Sequence, residues 1–192
     1  MLDIKRGGIL IREIDVKLIE DKIAEMCIDA NYYLENDIKR CIDEKYEAES
    51  WPVAKNILES IKENIEIAEE GEFPLCQDTG MACIFLEIGQ DVHFTGGFLE
   101  DAVNNGVRRG YCDGYLRKSI VKDPLRRENT KDNTPAYINM EIVRGDKVRI
   151  IVAPKGFGSE NMSRIKMLPP SAGEEGVMDF IVKTCSEAGA NP

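Results

Sequence analysis

Apolar residues recur at steps of three and four along the first part of the chain. Between Asp15 and Asp43 this spacing predicts an amphipathic helix. Its apolar stripe consists of Val16, Ile19, Ile23, Met26, Cys27, Ala30, Leu34, Ile38 and Cys41. Pro52 then favours the first turn of a second helix, which is expected to continue to Gly71. Residues 1–72 are therefore predicted to be helical.

The pattern changes after residue 72 to shorter apolar runs. Met81 to Ile88 is an apolar run between two glycines, which predicts a buried strand. Gly96 to Tyr115 predicts another helix with Val103, Val107 and Tyr111 facing inward. The polar stretch from Asp123 to Pro135 is too charged for a core and is interpreted as a long loop.

The last third of the chain predicts two strands and one helix. Tyr137 to Val143 and Val148 to Ala153 alternate apolar and polar residues around a short turn, which is typical of a hairpin. A final helix is expected to end at about Glu187, because Gly189 stops it. We therefore predict an α+β fold, in which a helical N-terminal half precedes a small, mostly antiparallel sheet with flanking helices. Residues 1–192 form one domain in this prediction, with a helical part at 1–72 and a mixed part at 73–192.

Composition excludes several classes of function. A chain of 192 residues with 43% hydrophobic content can bury a core. Its net charge of −10 argues against nucleic-acid binding, which needs a basic face to displace counterions from phosphates. No apolar run approaches the ~20 residues of a membrane span, and the N-terminus lacks the apolar segment of a signal peptide. We expect a cytoplasmic protein with neither nucleic-acid nor membrane partners.

The six cysteines are scattered and do not form a local metal motif. No CxxC spacing occurs, so any metal must draw its ligands from distant parts of the sequence or from another chain. In the cytosol these thiols are expected to stay reduced. Five are interpreted as packing residues: Cys27, Cys41 and Cys185 by helical periodicity, Cys83 by its apolar run, and Cys112 by its place on a helix flank near two glycines.

The sixth cysteine lies in the most informative segment, the polar turn from Pro74 to Gly80. There Cys76, Gln77, Asp78 and Thr79 place a soft metal ligand, an amide, a carboxylate and a hydroxyl on consecutive residues. Pro and Gly keep this backbone out of regular structure, so the turn could hold a metal and contact a substrate together. The alternative is a buried free cysteine beside an ordinary Asx-type turn. The residues by themselves slightly favour that alternative.

Two further segments could bind anions. Gly156 and Gly158 would let backbone N–H groups approach a carboxylate or phosphate, with Lys155 adding charge. A plain glycine-rich connection explains the same spacing equally well. Arg117 could form a bidentate clamp on a carboxylate, although a solvated surface arginine is the commoner case. His93 is the only histidine, so a multi-histidine zinc site cannot form within this chain.

Four motifs taken together resemble a known family. They are Pro-Leu-Cys-Gln-Asp-Thr-Gly at 74–80, Gly-Tyr-Leu-Arg at 114–117, Asn-Thr-Pro-Ala at 133–136 and Lys-Gly-Phe-Gly-Ser-Glu-Asn at 155–161. In order and spacing they resemble the alpha subunit, or N-terminal domain, of the class I iron-sulfur hydro-lyases. That family contains class I fumarase and L(+)-tartrate dehydratase. The resemblance covers nearly the whole chain, and it favours an active-site role for the turn at Cys76.

The resemblance implies a chemistry and a role for each matching residue. Enzymes of this family bind a 4Fe-4S cluster through three cysteines, and its open iron acts as a Lewis acid on the substrate. Cys76 matches the first of those cysteines. Asp78, as an acid or base, and Thr79 become the candidate catalytic residues. The candidate substrate-binding residues are Gln77, Arg117, Gly156 and Gly158.

The resemblance also implies that further parts are needed. In the family, the segment resembling Gly189 to Pro192 continues into Cys-Pro-Pro, whose cysteine is the second cluster ligand. We therefore expect the chain to be cut short of that ligand and to hold no stable 4Fe-4S cluster. The family's second base and further carboxylate-binding residues belong to a beta subunit or C-terminal domain, so this chain alone is expected to be inactive. Assembly into a homo-oligomer is likewise implied.

Three functions follow from these observations. The leading hypothesis is a subunit of a hydro-lyase that reversibly hydrates fumarate, a small dicarboxylic acid, to malate. The near alternative is a subunit of L(+)-tartrate dehydratase, because the four motifs are shared. The third is a non-catalytic module for anion binding or assembly. No single residue in the sequence decides between the two substrates.

Overall fold

Two compact units make up the fold, Met1–Lys155 and Gly156–Pro192. The computed structural model describes residues 4–6, 9–71, 73–158 and 162–189, without side chains for 4–6, 9 and 10. In chain order, the elements of the first unit are β1 (Ile4–Arg6), β2 (Ile9–Asp15), α1 (Val16–Tyr32), α2 (Asn36–Ala48), α3 (Pro52–Glu69), β3 (Met81–Gly89), β4 (Val92–Thr95), α4 (Leu99–Asp113), β5 (Tyr137–Val143) and β6 (Val148–Lys155). The second unit contains a 3-10 turn (Pro170–Ala172) and α5 (Gly173–Ala188).

Helices α1 and α4 lie against each other at the centre of the first unit. A Cβ added to Gly106 would lie 2.6 Å from the Glu20 carbonyl oxygen, and one added to Gly110 would lie 2.7 Å from the Ala24 carbonyl oxygen. Only glycine permits this approach of the two backbones. The hydrophobic core around the two helices also includes Ile84 and Leu86 of β3. The helix pair and one face of the second sheet therefore share one core.

The sheets are small and mixed, with two parallel and two antiparallel pairings. In the first sheet, of order β1-β2-β4, β2 is antiparallel to β1 and parallel to β4. In the second, of order β5-β3-β6, β3 is parallel to β5 and antiparallel to β6. The α+β class is confirmed, whereas the predicted hairpin is wrong. Both of its strands exist, but they flank β3 instead of pairing with each other.

An alternating pattern of apolar and polar residues predicts a strand but does not show which other strand it pairs with. Ile84 of β3 lies opposite Ile138 of β5 on one side and Val152 of β6 on the other. The apolar β3 is the most buried strand of this sheet, and the central position covers it on both edges. Strands β1, β2 and β4 are short or precede the first helical pattern, and they were not predicted.

The single helix predicted from Asp15 to Asp43 is two helices in the structure. Tyr33 and Glu35 adopt extended backbone conformations, and the chain turns there between α1 and α2. No glycine or proline marks this break in the sequence. The apolar stripe of α1 is buried, whereas α2 has no buried residue. The other predicted helices are confirmed as α3, α4 and α5, and residues 123–135 are irregular as expected.

Burial of the cysteines departs from the prediction at three positions. Cys27 and Cys83 are buried, as expected for packing residues. Cys41, Cys112 and Cys185 are exposed. A periodic stripe shows which residues share a face, but not whether another element covers that face. In α4, residue 112 follows buried Tyr111 and points about 100° away from it around the helix.

No helix in the described part of the chain is both long and apolar enough to cross a membrane.

Replacing Gly106 by alanine tests the helix contact. The added methyl group would meet the α1 backbone at Glu20 and the Cβ of Ile23 at 2.9 Å. We expect Gly106→Ala to lower the free energy of unfolding by a net amount of about 1–3 kcal/mol, because overpacking outweighs the gain of ~1 kcal/mol that alanine gives over glycine in an exposed helix. Urea denaturation followed by circular dichroism measures both terms together.

Cys112→Ala on the same helix is the control, because Cys112 is exposed. Its free energy of unfolding should stay within about 0.5 kcal/mol of the parent value. If Gly106→Ala is as stable as this control, the close approach of α1 and α4 is incorrect.

Candidate active site at the Cys76 turn

The segment that leads into the Cys76 turn is held by two helices. The N–H of Leu75 donates a hydrogen bond to the carbonyl oxygen of Asn31, at the end of α1, over 2.8 Å. The carbonyl oxygen of Leu75 accepts one from Nδ2 of Asn64 on α3, over 2.9 Å. Both backbone groups of the residue before Cys76 are therefore fixed. The irregular backbone is anchored although it belongs to no helix or strand.

Within the turn, exposure falls from Cys76 to Gly80. Cys76 and Gln77 are exposed, Asp78 is half-buried, and Thr79 is only 2% exposed. Oδ1 of Asp78 accepts a hydrogen bond from the N–H of Gly80 over 3.1 Å, which forms an Asx-type turn. The turn thus presents a thiol and an amide at the surface while its second half enters the core.

Thr79 joins this turn to the segment that carries Arg117. Its hydroxyl donates to the carbonyl oxygen of Arg117 over 3.0 Å. Its own carbonyl oxygen accepts a hydrogen bond from the hydroxyl of Tyr111 over 2.8 Å. Burial raises the pKa of Tyr111 far above its ordinary value, so this phenol stays a neutral donor. The Thr79 hydroxyl is engaged in positioning, and its predicted catalytic role stays a prediction.

The chain reversal at the end of α4 determines the position of Arg117. The N–H of Leu116 donates to the carbonyl oxygen of Tyr111 over 3.1 Å, and that of Tyr115 donates to Cys112 over 3.3 Å. Tyr115 has a φ of +52°. This combination is a Schellman motif, which reverses the chain after a helix through a left-handed residue. The reversal brings the Arg117 backbone to Thr79 and leaves the arginine side chain exposed.

Two of the predicted segments are therefore adjacent in the first unit, and the third belongs to the second unit. The Cys76 turn and Arg117 meet in the first unit through the Thr79 hydroxyl. Gly156 and Gly158 follow β6 and belong to the second unit. Residues 159–161 of the same motif, like residues 190–192 at the C-terminus, lie outside the described residues.

The Cys76 thiol is accessible to a metal, but no complete set of ligands surrounds it among the described residues. It is an exposed thiol and forms no disulfide. No three His, Cys, Asp or Glu side chains converge as a metal site anywhere in the described ranges. A 4Fe-4S cluster needs more thiolates than this turn supplies. The described residues therefore fit one corner of such a site and not a complete one.

Several residues that build the site carried no role in the sequence interpretation. Asn31 and Asn64 fix Leu75, Tyr111 holds Thr79, and Asn133 contacts Gly80. Tyr111 was expected only as an inward-facing helix residue. The one usable signal is the Asn-Thr-Pro-Ala motif that begins at Asn133, to which the sequence alone assigns no individual function.

Comparison with known proteins identifies the family. The model of the family described as Fumarate hydratase (Fumerase) matches residues 20–192. This chain belongs to that family.

Curated relatives agree with this assignment. The chain is 40% identical over 180 residues to a Methanocaldococcus jannaschii protein named "Putative L(+)-tartrate dehydratase subunit alpha", covering 91% of this chain and 63% of that protein. It is 28% identical to the L(+)-tartrate dehydratase subunit alpha of Escherichia coli over 81% of this chain and 52% of that subunit. The anaerobic class I fumarate hydratase of E. coli is 41% identical over 51% of this chain, but only 18% of that enzyme is covered. The chain thus spans 63% or less of the length of these relatives.

Thiol alkylation tests the accessibility of the turn. Cys76 is exposed, whereas burial raises the pKa of the Cys27 thiol to about 12. At pH 8 the thiolate fraction of Cys27 would be on the order of one in ten thousand. We expect iodoacetamide to modify Cys76 in the folded protein and to leave Cys27 unmodified, as measured by peptide mass spectrometry over time.

Alkylation in denaturant is the control, since both thiols should then react at similar rates. Protection of Cys76 in the folded chain equal to that of Cys27 would contradict the exposed turn.

Proposed function

We propose that this chain is the alpha subunit, or the corresponding part, of a class I hydro-lyase that dehydrates a 2-hydroxy dicarboxylic acid. The observation that carries the proposal is the hydrogen bond of 3.0 Å from the Thr79 hydroxyl to the Arg117 carbonyl oxygen. It joins a segment with a thiol and a carboxylate to a segment with a guanidinium group. Metal-assisted dehydration of a hydroxy acid requires a metal ligand, a proton acceptor and a carboxylate-binding cation in one site.

Each side chain has a part in the proposed reaction. The Asp78 carboxylate takes or returns a proton at the carbon chain of the substrate. Arg117 binds a substrate carboxylate through its planar guanidinium group, and the Gln77 amide adds a polar contact. Thr79 holds these two segments together. Gly156 and Gly158 are proposed as backbone donors to the substrate.

Cys76 is proposed as one ligand of a 4Fe-4S cluster, which when bound supplies Lewis-acid polarisation of the leaving hydroxyl. No three such ligands converge among the described residues, so we expect further ligands from residues outside the described ranges or from another chain. A beta subunit is the proposed partner, since two of the relatives are named as alpha subunits. We place the assembled enzyme in the cytoplasm and expect it to be a homo-oligomer of such pairs.

L(+)-tartrate is the better-supported substrate, and fumarate is the second candidate. The relative named for tartrate dehydratase covers 91% of the chain, whereas the fumarate hydratase match covers 51% at nearly equal identity. Fumarate hydration was the leading sequence hypothesis, and the more extensive match now favours its alternative. A non-catalytic binding module has the same fold but predicts no dependence of iron binding on Cys76.

The decisive experiment combines the full-length alpha subunit with its beta subunit under anaerobic conditions with iron and sulfide. We expect oxaloacetate formation from L(+)-tartrate to exceed fumarate formation from L-malate in kcat/KM. Faster turnover of malate would support the fumarate hydratase alternative. Turnover of either substrate by the isolated 192-residue chain would contradict the proposed need for a partner.

Variants then test the individual roles in the same assembly. Asp78→Asn should lower kcat by about 10²–10⁴-fold, because the amide cannot exchange a proton. Arg117→Lys should mainly raise KM, because a lysine loses the bidentate contact. Asp101→Asn, an exposed carboxylate on α4, is the matched control and should leave both constants unchanged. Full kcat in Asp78→Asn would rule out its proposed role, and iron binding that survives Cys76→Ser would favour the module.

A further inference from the structure

The Asn133 side chain is wholly buried, with 0% exposure, in a loop that is otherwise polar and partly exposed. Its φ of +60° is the left-handed conformation that asparagine tolerates better than most residues. A buried amide is costly unless its donors and acceptor are paired. The hydrogen-bond partners of this amide therefore indicate the structural role of Asn133.

Three hydrogen bonds satisfy the amide, and they lead in two directions. Oδ1 of Asn133 accepts from the N–H of Ser119 over 2.7 Å and from the N–H of Ile120 over 3.2 Å. Nδ2 donates to the carbonyl oxygen of Gly80 over 3.0 Å. The reverse orientation would place the amide NH2 against two N–H groups, so only this one is compatible with the site. The amide joins the end of the Cys76 turn to the residues that follow Arg117.

Asn133 is itself held against α4 from both sides. The adjacent Asp132 pairs with Arg108 over 2.9 Å, and the N–H of Ala136 donates to Oδ1 of Asn104 over 2.9 Å. Partial burial raises the pKa of Asp132, but hydrogen bonds from Arg108 and Thr134 outweigh it and lower that pKa to about 2. The carboxylate is thus ionised at neutral pH, and the Arg108 pair persists. These contacts on either side of Asn133 hold its backbone against α4, so the amide has a fixed position.

We propose that Asn133 is a positioning residue of the active site, which fixes the Cys76 turn relative to the Arg117 segment through Gly80, Ser119 and Ile120. The Thr79 hydroxyl makes a second side-chain link between these two segments, through its hydrogen bond to the Arg117 carbonyl oxygen. Two links at neighbouring residues restrict both translation and rotation of one segment against the other. The relevance to substrate rests on the proposed function, whereas the mechanical coupling does not.

Asn133→Gly tests the coupling, because glycine accepts the left-handed backbone and removes all three hydrogen bonds. We expect hydrogen exchange in peptides spanning 76–80 and 117–120 to accelerate about tenfold, as for loss of a buried hydrogen bond. The alkylation rate of Cys76 should change in parallel. Peptides of α1 and α3 away from the turn should exchange as in the parent protein.

Two controls separate the coupling from general effects of the loop. Lys131→Gly changes another left-handed residue of the same loop, with a φ of +72°. Asn129→Ala removes the hydrogen bonds that its side chain donates to the Lys118 carbonyl oxygen and accepts from the Lys131 N–H, but no contact with the turn. Neither should alter exchange at 76–80. Acceleration confined to 117–120, or equal acceleration in the controls or throughout the first unit, would overturn the proposal.

Should Asn133→Gly fail to fold, Asn133→Asp keeps the shape and the two accepted hydrogen bonds. When ionised, its carboxylate cannot donate to Gly80, so exchange at 76–80 should rise. Lower pH protonates the carboxyl group, restores a donor and should slow that exchange again. Absence of a pH-dependent difference from the parent protein at 76–80 would contradict the proposal.

In the assembled enzyme, Asn133→Gly should raise KM for the hydroxy acid more than Asn129→Ala does, at similar stability. If exchange changes but KM does not, the coupling stands and the proposed substrate site at Arg117 is wrong. If neither changes, Asn133 has no positioning role.

Discussion

The close contact between α1 and α4 is the constraint on which the rest of the first unit depends. Gly106, Gly110 and Gly114 repeat at every fourth residue and face α1, where added Cβ atoms would meet Glu20, Ala24 and Ile28 at 2.6–2.9 Å. With the backbones this close, the buried side chains of both helices meet one face of β3. Packing of this kind is sensitive to single methyl groups. The helix pair therefore gives the unit a rigid centre.

The candidate active site extends from that centre through buried hydrogen bonds. Tyr111, in the core of α4, holds Thr79, and the Schellman turn after α4 leads to Arg117. Asn133 adds the bond to Gly80. A turn rich in polar groups needs such support, because irregular backbone has no ladder of its own to satisfy its N–H and C=O groups. Exposed Cys76 and half-buried Asp78 are thus presented by a backbone that is fixed beneath them.

The exposed cysteines illustrate the limit of periodic patterns. Cys27 and Cys41 share the same three- and four-residue spacing, yet one is buried in α1 and the other is exposed on α2. The spacing does not show that the chain turns at Tyr33, or that no residue of α2 is buried. The same limit explains the hairpin error, since β5 and β6 each have the pattern of a strand while the choice of β3 as a shared neighbour depends on the whole core.

The sequence by itself determined the α+β class, most helix positions, the strand at Met81 and the family of the chain, because periodicity and consecutive motif residues are local properties. It also singled out Cys76, Asp78 and Arg117 as candidates. Only the tertiary structure decided that Thr79 and Asn133 link those segments, since the hydrogen bonds join residues 38 and 53 positions apart. Such contacts depend on how α1 and α4 pack, because their geometry is set by which helix faces meet.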